Sequence, residues 1–220
     1  MRKMKSFTVI YDKNREDKGR DSYLKAIKKH IPYAEFIDMS SYKNQIPGEK
    51  LLLVKPLNEF YYKLMIKTMR AFYPPADVEG VATGRLTITA EAIIRVIGEV
   101  KDKTIVIINQ SDVLGIPLAK ELIERGANVI SLNSSYPCID NLLTMTDVDV
   151  LVSASGKYEF KLDRILTRMI DVKVDLSDDL EDPIKITTVP TVEVLKERLE
   201  EWKRLKKRKR LQLMSWPMSR

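Results

Sequence analysis

Between residues 103 and 126 the chain reads KTIVIINQSDVLGIPLAKELIERG, an apolar run, a polar turn and a helical pattern in immediate succession. The run at 105–108 has the β-branched density of a buried strand, and Leu118, Leu122 and Ile123 recur at the spacing of one helix face. A strand handed so directly to a helix restricts the chain to folds in which helices cover a parallel sheet. In open sheets of that kind, ligands bind outside the carboxyl ends of the strands, where a helix N-terminus favours anions. A Rossmann fingerprint carries three glycines in such a turn. Here only Gly115 is present, so spacing leaves two readings open. One is a nucleotide site; the other is an ordinary loop in which Ser111 caps the helix and Gly115 lets helix and strand approach.

The same alternation runs through the whole chain. Strands are predicted at 7–11, 35–38, 51–54, 104–108, 128–132, 148–153, 169–172 and 184–187. Helices are predicted at 22–30, 59–72, from Thr89 onward, at 116–125 and at 192–205, with polar loops at 12–20 and 40–50. Ser22 is the expected N-cap of the first helix, Pro56 ends the third strand, and Pro74 and Pro75 stop the second helix. The expected fold class is therefore α/β.

With 220 residues, 44% of them hydrophobic, the chain can bury one sizeable core or two small ones. Its net charge of +7 is concentrated in Lys203, Arg204, Lys206, Lys207, Arg208, Lys209 and Arg210, leaving the body close to neutral. Residues 203–220 are thus expected to be a solvated basic tail, and a nucleic-acid partner is not expected. No apolar run approaches the roughly 18 residues of a membrane helix, so no membrane partner is expected either. The start, MRKMKSFTVIYDKN, carries no secretory apolar segment. A lone Cys138 excludes an internal disulfide, and with the lone His30 it makes a poor metal site. No metal and a cytoplasmic setting are expected.

Several segments, taken in order, carry a resemblance. The stretch VIINQSDVLGIP at 106–117 resembles the V-I-G-x-S-x-x-V-G-x-P signature of the methylenetetrahydrofolate dehydrogenase/methenyltetrahydrofolate cyclohydrolase family. PADVEG at 75–80 resembles its P-x-K-D-V-D-G, GRL at 84–86 its N-x-G-R-L, and 89–93 its T-P-x-G-I helix start. LVKPL at 53–57 is similar to V-Q-L-P-L-P, VLVSASGK at 150–157 to the strand and loop ending A-x-G-x-P, and ITTVP at 186–190 to I-T-P-V-P. The landmarks are collinear from about residue 50 to about residue 195.

The resemblance implies two domains. Residues 1–88 with 188–210 would form an N-terminal α/β folate-binding domain, and 89–187 a Rossmann-like dinucleotide-binding domain, with the C-terminal helix packing back on the first. It also implies hydride transfer from 5,10-methylenetetrahydrofolate to NADP or NAD, hydrolysis of the methenyl product to 10-formyltetrahydrofolate, and a homodimer.

Departures from the family pattern define the candidate residues. The family's helix carries Y-x-x-x-K; Tyr23 is present, but Ile27 stands at the lysine position, flanked by Lys25, Lys28 and Lys29. Either a shifted register brings Lys28 into place, or the ammonium has moved to Lys55, which stands where the family has glutamine. Burial there would suit Lys55 to proton transfer. Glu79 replaces an aspartate and keeps a carboxylate able to accept parallel N–H bonds from a pterin ring.

In the cofactor turn, Asn109 replaces the first glycine, a substitution suited to a residue that tolerates positive φ. Gln110 replaces the arginine common in NADP-using members, while Ser111, Val113 and Gly115 retain the signature. Ser134 and Ser135 are hydroxyl donors after the fifth predicted strand, and Ser155 and Gly156 follow the sixth. No acid follows the fifth strand, so the choice between cofactors rests on the family, which points to NADP. The family's glycine-rich P-V-P-G-G-V-G-P-M-T loop is absent, the chain reading VPTVEV at 189–194. An active dehydrogenase, with or without the hydrolase step, and a binding protein on the same scaffold are both compatible with this pattern.

Overall fold

The computed structural model describes residues 7–15, 17–41, 49–157, 159–185 and 189–214. Among them, β1 (Thr8–Tyr11), β2 (Glu35–Asp38) and β3 (Leu51–Leu53) form a small parallel sheet in the order β2-β1-β3. A larger sheet contains β4 (Thr104–Ile108), β5 (Asn128–Leu132), β6 (Val150–Ser153), β7 (Val172–Asp175) and β8 (Ile184–Lys185). Its order is β5-β4-β6-β7-β8, again all parallel. In each sheet the first strand lies between the next two in sequence, Val9 opposite Phe36 and Leu52, Val106 opposite Ile130 and Leu151. The connections therefore leave in opposite directions and open a crevice at the carboxyl ends of β1 and β4.

Among the described residues seven α-helices cover the sheets: α1 (Lys18–His30), α2 (Glu59–Phe72), α3 (Ile88–Ile97), α4 (Gly115–Glu124), α5 (Ile139–Met145), α6 (Arg164–Thr167) and α7 (Val189–Met214). The first begins earlier than expected because Asp17, rather than Ser22, is its N-cap: the Asp17 carboxylate accepts the Arg20 N–H at 2.7 Å. Asn58 caps α2, accepting from the Phe60 and Tyr61 N–H groups. Ile88, Ala90, Ala92, Ile93, Ile94 and Ile97 of α3 are all buried, as befits a helix enclosed on several sides. It packs against α4 and α7, and α7 also packs on α1.

One apolar core consequently serves both sheets, running from Phe7, Val9 and Ile27 through Ile93 to Ile105, Val152, Leu195 and Leu199. A second cluster lies under α2, with Ile10, Leu53, Tyr62, Met65 and Met69. A third covers the other face of the large sheet.

Several boundaries differ from expectation. The strand expected at 169–172 is β7 at Val172–Asp175; Met169 is 85% exposed, so the adjacent apolar pair marks a turn. Helices α5 and α6 were not anticipated, being too short to display a helical period. α7 starts at Val189 and continues through the basic run at 203–210, an extension of the helix whose residues 204–208 are exposed. The end of the strand expected at 184–187, most of the 40–50 loop and residues 215–220 lie outside the described residues.

Ile27, at the family's lysine position, is fully buried. Ile27→Lys should therefore lower the unfolding free energy by at least ~3 kcal/mol, because a charge enters the core, whereas Lys28→Met should change it by less than ~0.5 kcal/mol. Urea denaturation followed by circular dichroism measures both.

Candidate functional site

The carboxyl ends of both sheets face one cleft of about 530 Å³. One wall comes from the small-sheet side: Tyr23 of α1, Val54 and Lys55 beyond β3, and Glu79. The other comes from the large sheet: Asn109, Ser111, Val113 and Leu114 after β4, Gly156 after β6, and Leu176 and Ser177 after β7. Thr89 and Thr191, near the N-termini of α3 and α7, complete it.

Glu79 belongs to a loop held from two directions. Asp77 accepts from the Gly80, Ala82 and Thr83 N–H groups at 2.9, 2.7 and 3.1 Å. From α7, the buried Arg198 guanidinium donates to the Val78 and Glu79 carbonyls at 3.0 and 2.9 Å, and also to the Leu86 carbonyl and the Glu91 carboxylate. The Glu79 carboxylate accepts the Ile88 N–H at 3.1 Å. Burial pushes its pKa up to about 7, against the pull of the nearby Arg198 charge and of that N–H. The Tyr23 hydroxyl is buried with no hydrogen-bond partner among the described residues. Burial, reinforced by the Glu79 charge, holds its pKa well above the ordinary phenol value.

Lys55 reaches across the cleft, its ammonium 2.8 Å from the Asp112 carboxylate, 3.9 Å from that of Glu59 and 4.1 Å from the centre of the Tyr62 ring. It is ion-paired rather than isolated in an apolar pocket. Lys28 lies outside the cleft, exposed, with its ammonium over the Phe36 ring. Lys25 and Lys29 are exposed as well.

The turn after β4 is organised by Asn109. Its Oδ1 accepts from the Ser111 N–H and hydroxyl and from the Gly115 N–H, at 2.9, 2.8 and 3.0 Å, while Nδ2 donates to the Ala154 carbonyl at 2.7 Å. Asn109 is not among the positive-φ residues, so its fitness for the first glycine's place lies in these bonds and not in the left-handed conformation expected. It also does the capping foreseen for Ser111. Gly115 sits against the strand: a Cβ there would lie 1.8 Å from the Asn109 carbonyl oxygen. Gly115 lines neither the cleft nor the cavity next to it.

That second cavity, about 270 Å³, opens beyond the carboxyl ends of β4, β5 and β6. It is lined by Ile108, Asn109, Gln110, Ser111, Asn133, Ser134, Ala154 and Ser155, none of them charged. The Gln110 amide donates to the Ser131 carbonyl at 3.0 Å. Ser135 does not line the cavity, its hydroxyl bonding Asn133. Ser155 donates to Asp179, a buried carboxylate that also accepts from the Ser153 hydroxyl and whose pKa burial raises. Gly156 turns beside it at φ +67°.

Arg15, Asp17, Arg20, Asp112 and Asp179 were not anticipated at the site. Asp17 had a legible signal, an acid just before a helical pattern. Asp112 and Asp179 had none, since long-range pairing alone gives them partners. Among the described residues no cluster of three or more His, Cys, Asp or Glu could hold a metal, and no helix is long and apolar enough to cross a membrane.

Two parallel sheets aiming their carboxyl ends into one cleft define an α/β protein of the crevice-binding class. No protein-family model matches the chain, and neither does any curated protein. Its fold, however, is that of solved methylenetetrahydrofolate dehydrogenases. A dehydrogenase-cyclohydrolase from Trypanosoma brucei, in complex with NADP and an inhibitor, superposes with a TM-score of 0.66 at 17% identity over 90% of this chain and 86% of its own. The bifunctional enzyme from Campylobacter jejuni gives 0.63 at 16% over 91% and 89%. The NAD-dependent dehydrogenase from Saccharomyces cerevisiae gives 0.62 at 15%. It covers 91% of this chain and 88% of its own.

The raised Glu79 pKa carries a stability prediction. The folded state holds this proton more tightly than the unfolded chain, whose carboxyl titrates near 4.5. The stability it confers is full below about pH 4.5 and is lost as pH rises to about 7, an effect on the order of 3 kcal/mol. Glu79→Gln removes the titration and keeps an acceptor for Ile88. Its urea midpoint should exceed the wild type's at pH 8, and the difference should vanish near pH 4.5.

Proposed function

We propose that this chain oxidises 5,10-methylenetetrahydrofolate to 5,10-methenyltetrahydrofolate with NAD or NADP as hydride acceptor, and hydrolyses the product to 10-formyltetrahydrofolate. One observation carries the reading: Tyr23, Lys55 and Glu79 face the turn at 109–115 across a single cleft. Hydride transfer needs two ligands held in line a few ångströms apart, and a cleft between two rigid walls supplies that alignment. A homodimer and a cytoplasmic setting belong to the same reading and rest on the resemblance alone.

On the folate side, the Glu79 carboxylate accepts N–H bonds from the pterin, and the Tyr23 hydroxyl, unpaired among the described residues, is open to a polar group of the ligand. On the other side, the second cavity suits the ribose and phosphates of a dinucleotide in its place outside the strand ends and in its hydroxyl and amide lining. Asn109, Gln110, Ser111, Ser134, Ser155 and Gly156 would hold that group, with Val113 and Gly115 shaping the turn. When bound, the nicotinamide accepts the hydride. The residues' share is to orient the one-carbon bridge and keep water away until oxidation is complete.

Hydrolysis then adds the oxygen of one water to the methenyl carbon and breaks its bond to N5. Of the two water protons, one goes to N5 and the other to solvent. Lys55 is the group placed to manage those transfers. A second reading, oxidation without hydrolysis, is favoured by the burial of Ile27 where the resemblance calls for lysine.

Lys55→Met should abolish turnover and bring methenyltetrahydrofolate decay to the buffer rate, while Lys28→Met should leave both near wild type. Reduced dinucleotide formed at wild-type rate by the Lys55 variant would exclude it from the oxidation step. Absorbance of the reduced dinucleotide also tests cofactor choice. Among the described residues, the second cavity has no cation in its lining to pair with a 2′-phosphate. NAD should therefore give a kcat/KM at least equal to that of NADP, contrary to the preference the family suggests, and a clear NADP preference would refute this.

A further inference from the structure

We propose that Asp112 is a positioning residue for Lys55, holding its ammonium at the one-carbon centre and tying the folate wall of the cleft to the turn on the dinucleotide wall. The inference rests on the function proposed above and goes beyond it by giving the lysine its counter-ion.

The two residues are 57 apart in sequence and come from different sheets, Lys55 just after β3 and Asp112 in the turn after β4. Their separation is 2.8 Å, a charge-assisted contact. The ammonium has little freedom around it: the face of Tyr62 lies 4.1 Å away and the Glu59 carboxylate 3.9 Å. Tyr62 is itself fully buried in the cluster beneath α2, so the ring is a fixed seat. Asp112, by contrast, takes no part in holding its own turn. Those bonds are made by Asn109, and the Asp112 carboxylate instead faces the α2 wall, where it accepts from the Lys55 ammonium beside the Tyr62 hydroxyl. The next residue, Val113, packs against the same α2 cluster, so the turn is docked on the folate wall by an apolar contact beside the ion pair.

The charge count explains why a second acid is useful. Oxidation turns a neutral methylene bridge into a methenyl cation, which a lone ammonium would oppose. One ammonium between two carboxylates, Asp112 and Glu59, leaves the group with a net single negative charge that favours the cation. Among the described residues, the other charged groups lining the cleft are Glu79, Asp17, Arg15 and Arg20. Of these, Arg20 is committed to Asp21 and to the carbonyls of Asp12 and Arg15.

The test compares wild type, Asp112→Asn, Asp112→Glu and Lys55→Met, alone and with Asp112→Asn, in the dehydrogenase and hydrolysis assays. Positioning predicts that Asp112→Asn lowers kcat by about 100-fold with KM for the dinucleotide unchanged, and that Asp112→Glu recovers part of the loss. In the Lys55→Met background, where turnover is lost, Asp112→Asn should leave the dissociation constant for the dinucleotide unchanged. A merely structural acid would raise the dinucleotide KM, or its dissociation constant in that background, and either result overturns the proposal. A readout independent of activity is the rate of Lys55 acylation by acetic anhydride, mapped by mass spectrometry against Lys63. It should rise several-fold in Asp112→Asn, and an unchanged rate overturns the proposal. A wild-type protein that makes no reduced dinucleotide would overturn the reading of function and with it the catalytic part of this inference, while the acylation rates would still report on the ion pair itself.

Discussion

The contact between Gly115 and the Asn109 carbonyl is the constraint on which the site depends. No side chain fits there, because even a Cβ would collide with backbone that cannot withdraw without breaking β4. Close approach lets the chain pass from the last residue of β4 to the first turn of α4 with only six residues between, at 109–114. With strand and helix so near, the Asn109 side chain can satisfy the Gly115 N–H and the Ser111 hydroxyl together and still reach the Ala154 carbonyl on β6's side. A single amide thus replaces the backbone freedom of a glycine with a set of directed bonds. The turn's remaining side chains, Asp112 and Val113, are left to face the other wall.

That wall is fixed by the shared core. Because α1, α3 and α7 bury their apolar faces in one cluster reaching from Val9 to Val152, the two sheets meet through packed side chains rather than through a linker. The same packing takes Ile27 out of contention for a polar task. A lysine one helical turn beyond Tyr23 would have to end in the core, so an ammonium in the cleft has to come from another element, and among the described residues Lys55 lines it. Its ion pair with Asp112 then does electrostatically what the core does by packing.

Much of this architecture was legible in the chain because it is written in local periodicity. β4, β5 and α2 were read with their observed bounds, each being a run whose apolar residues repeat without interruption. The errors fall where the signal is short or non-local. α6 spans four residues, too few to establish a period, and Val172–Asp175 alternates with Lys173 in a way that the neighbouring Met169 and Ile170 outweigh. The cleft was legible as a set of residue types, but not as a set of partners. Nothing near Lys55 in sequence announces Asp112, and nothing near Ser155 announces Asp179.

The missing glycine-rich loop has a structural counterpart in α7. With no loop to cross, the helix begins at Val189 and puts Thr191 at the cleft within its first turn. Two turns further on, Arg198 enters the space between α7 and the 78–91 segment and binds three of its carbonyls and the Glu91 carboxylate. The two terminal nitrogens of that buried guanidinium make four bonds, so removing it would take a donor from three carbonyls and leave Glu91 paired with Arg95. The C-terminal helix therefore takes over part of a loop's work: in place of flexible backbone over the ligand, it braces from behind the loop that presents Glu79. A cleft built this way gains a rigid carboxylate and gives up an adaptable cover, an exchange that favours accurate placement of a ligand over closure around it.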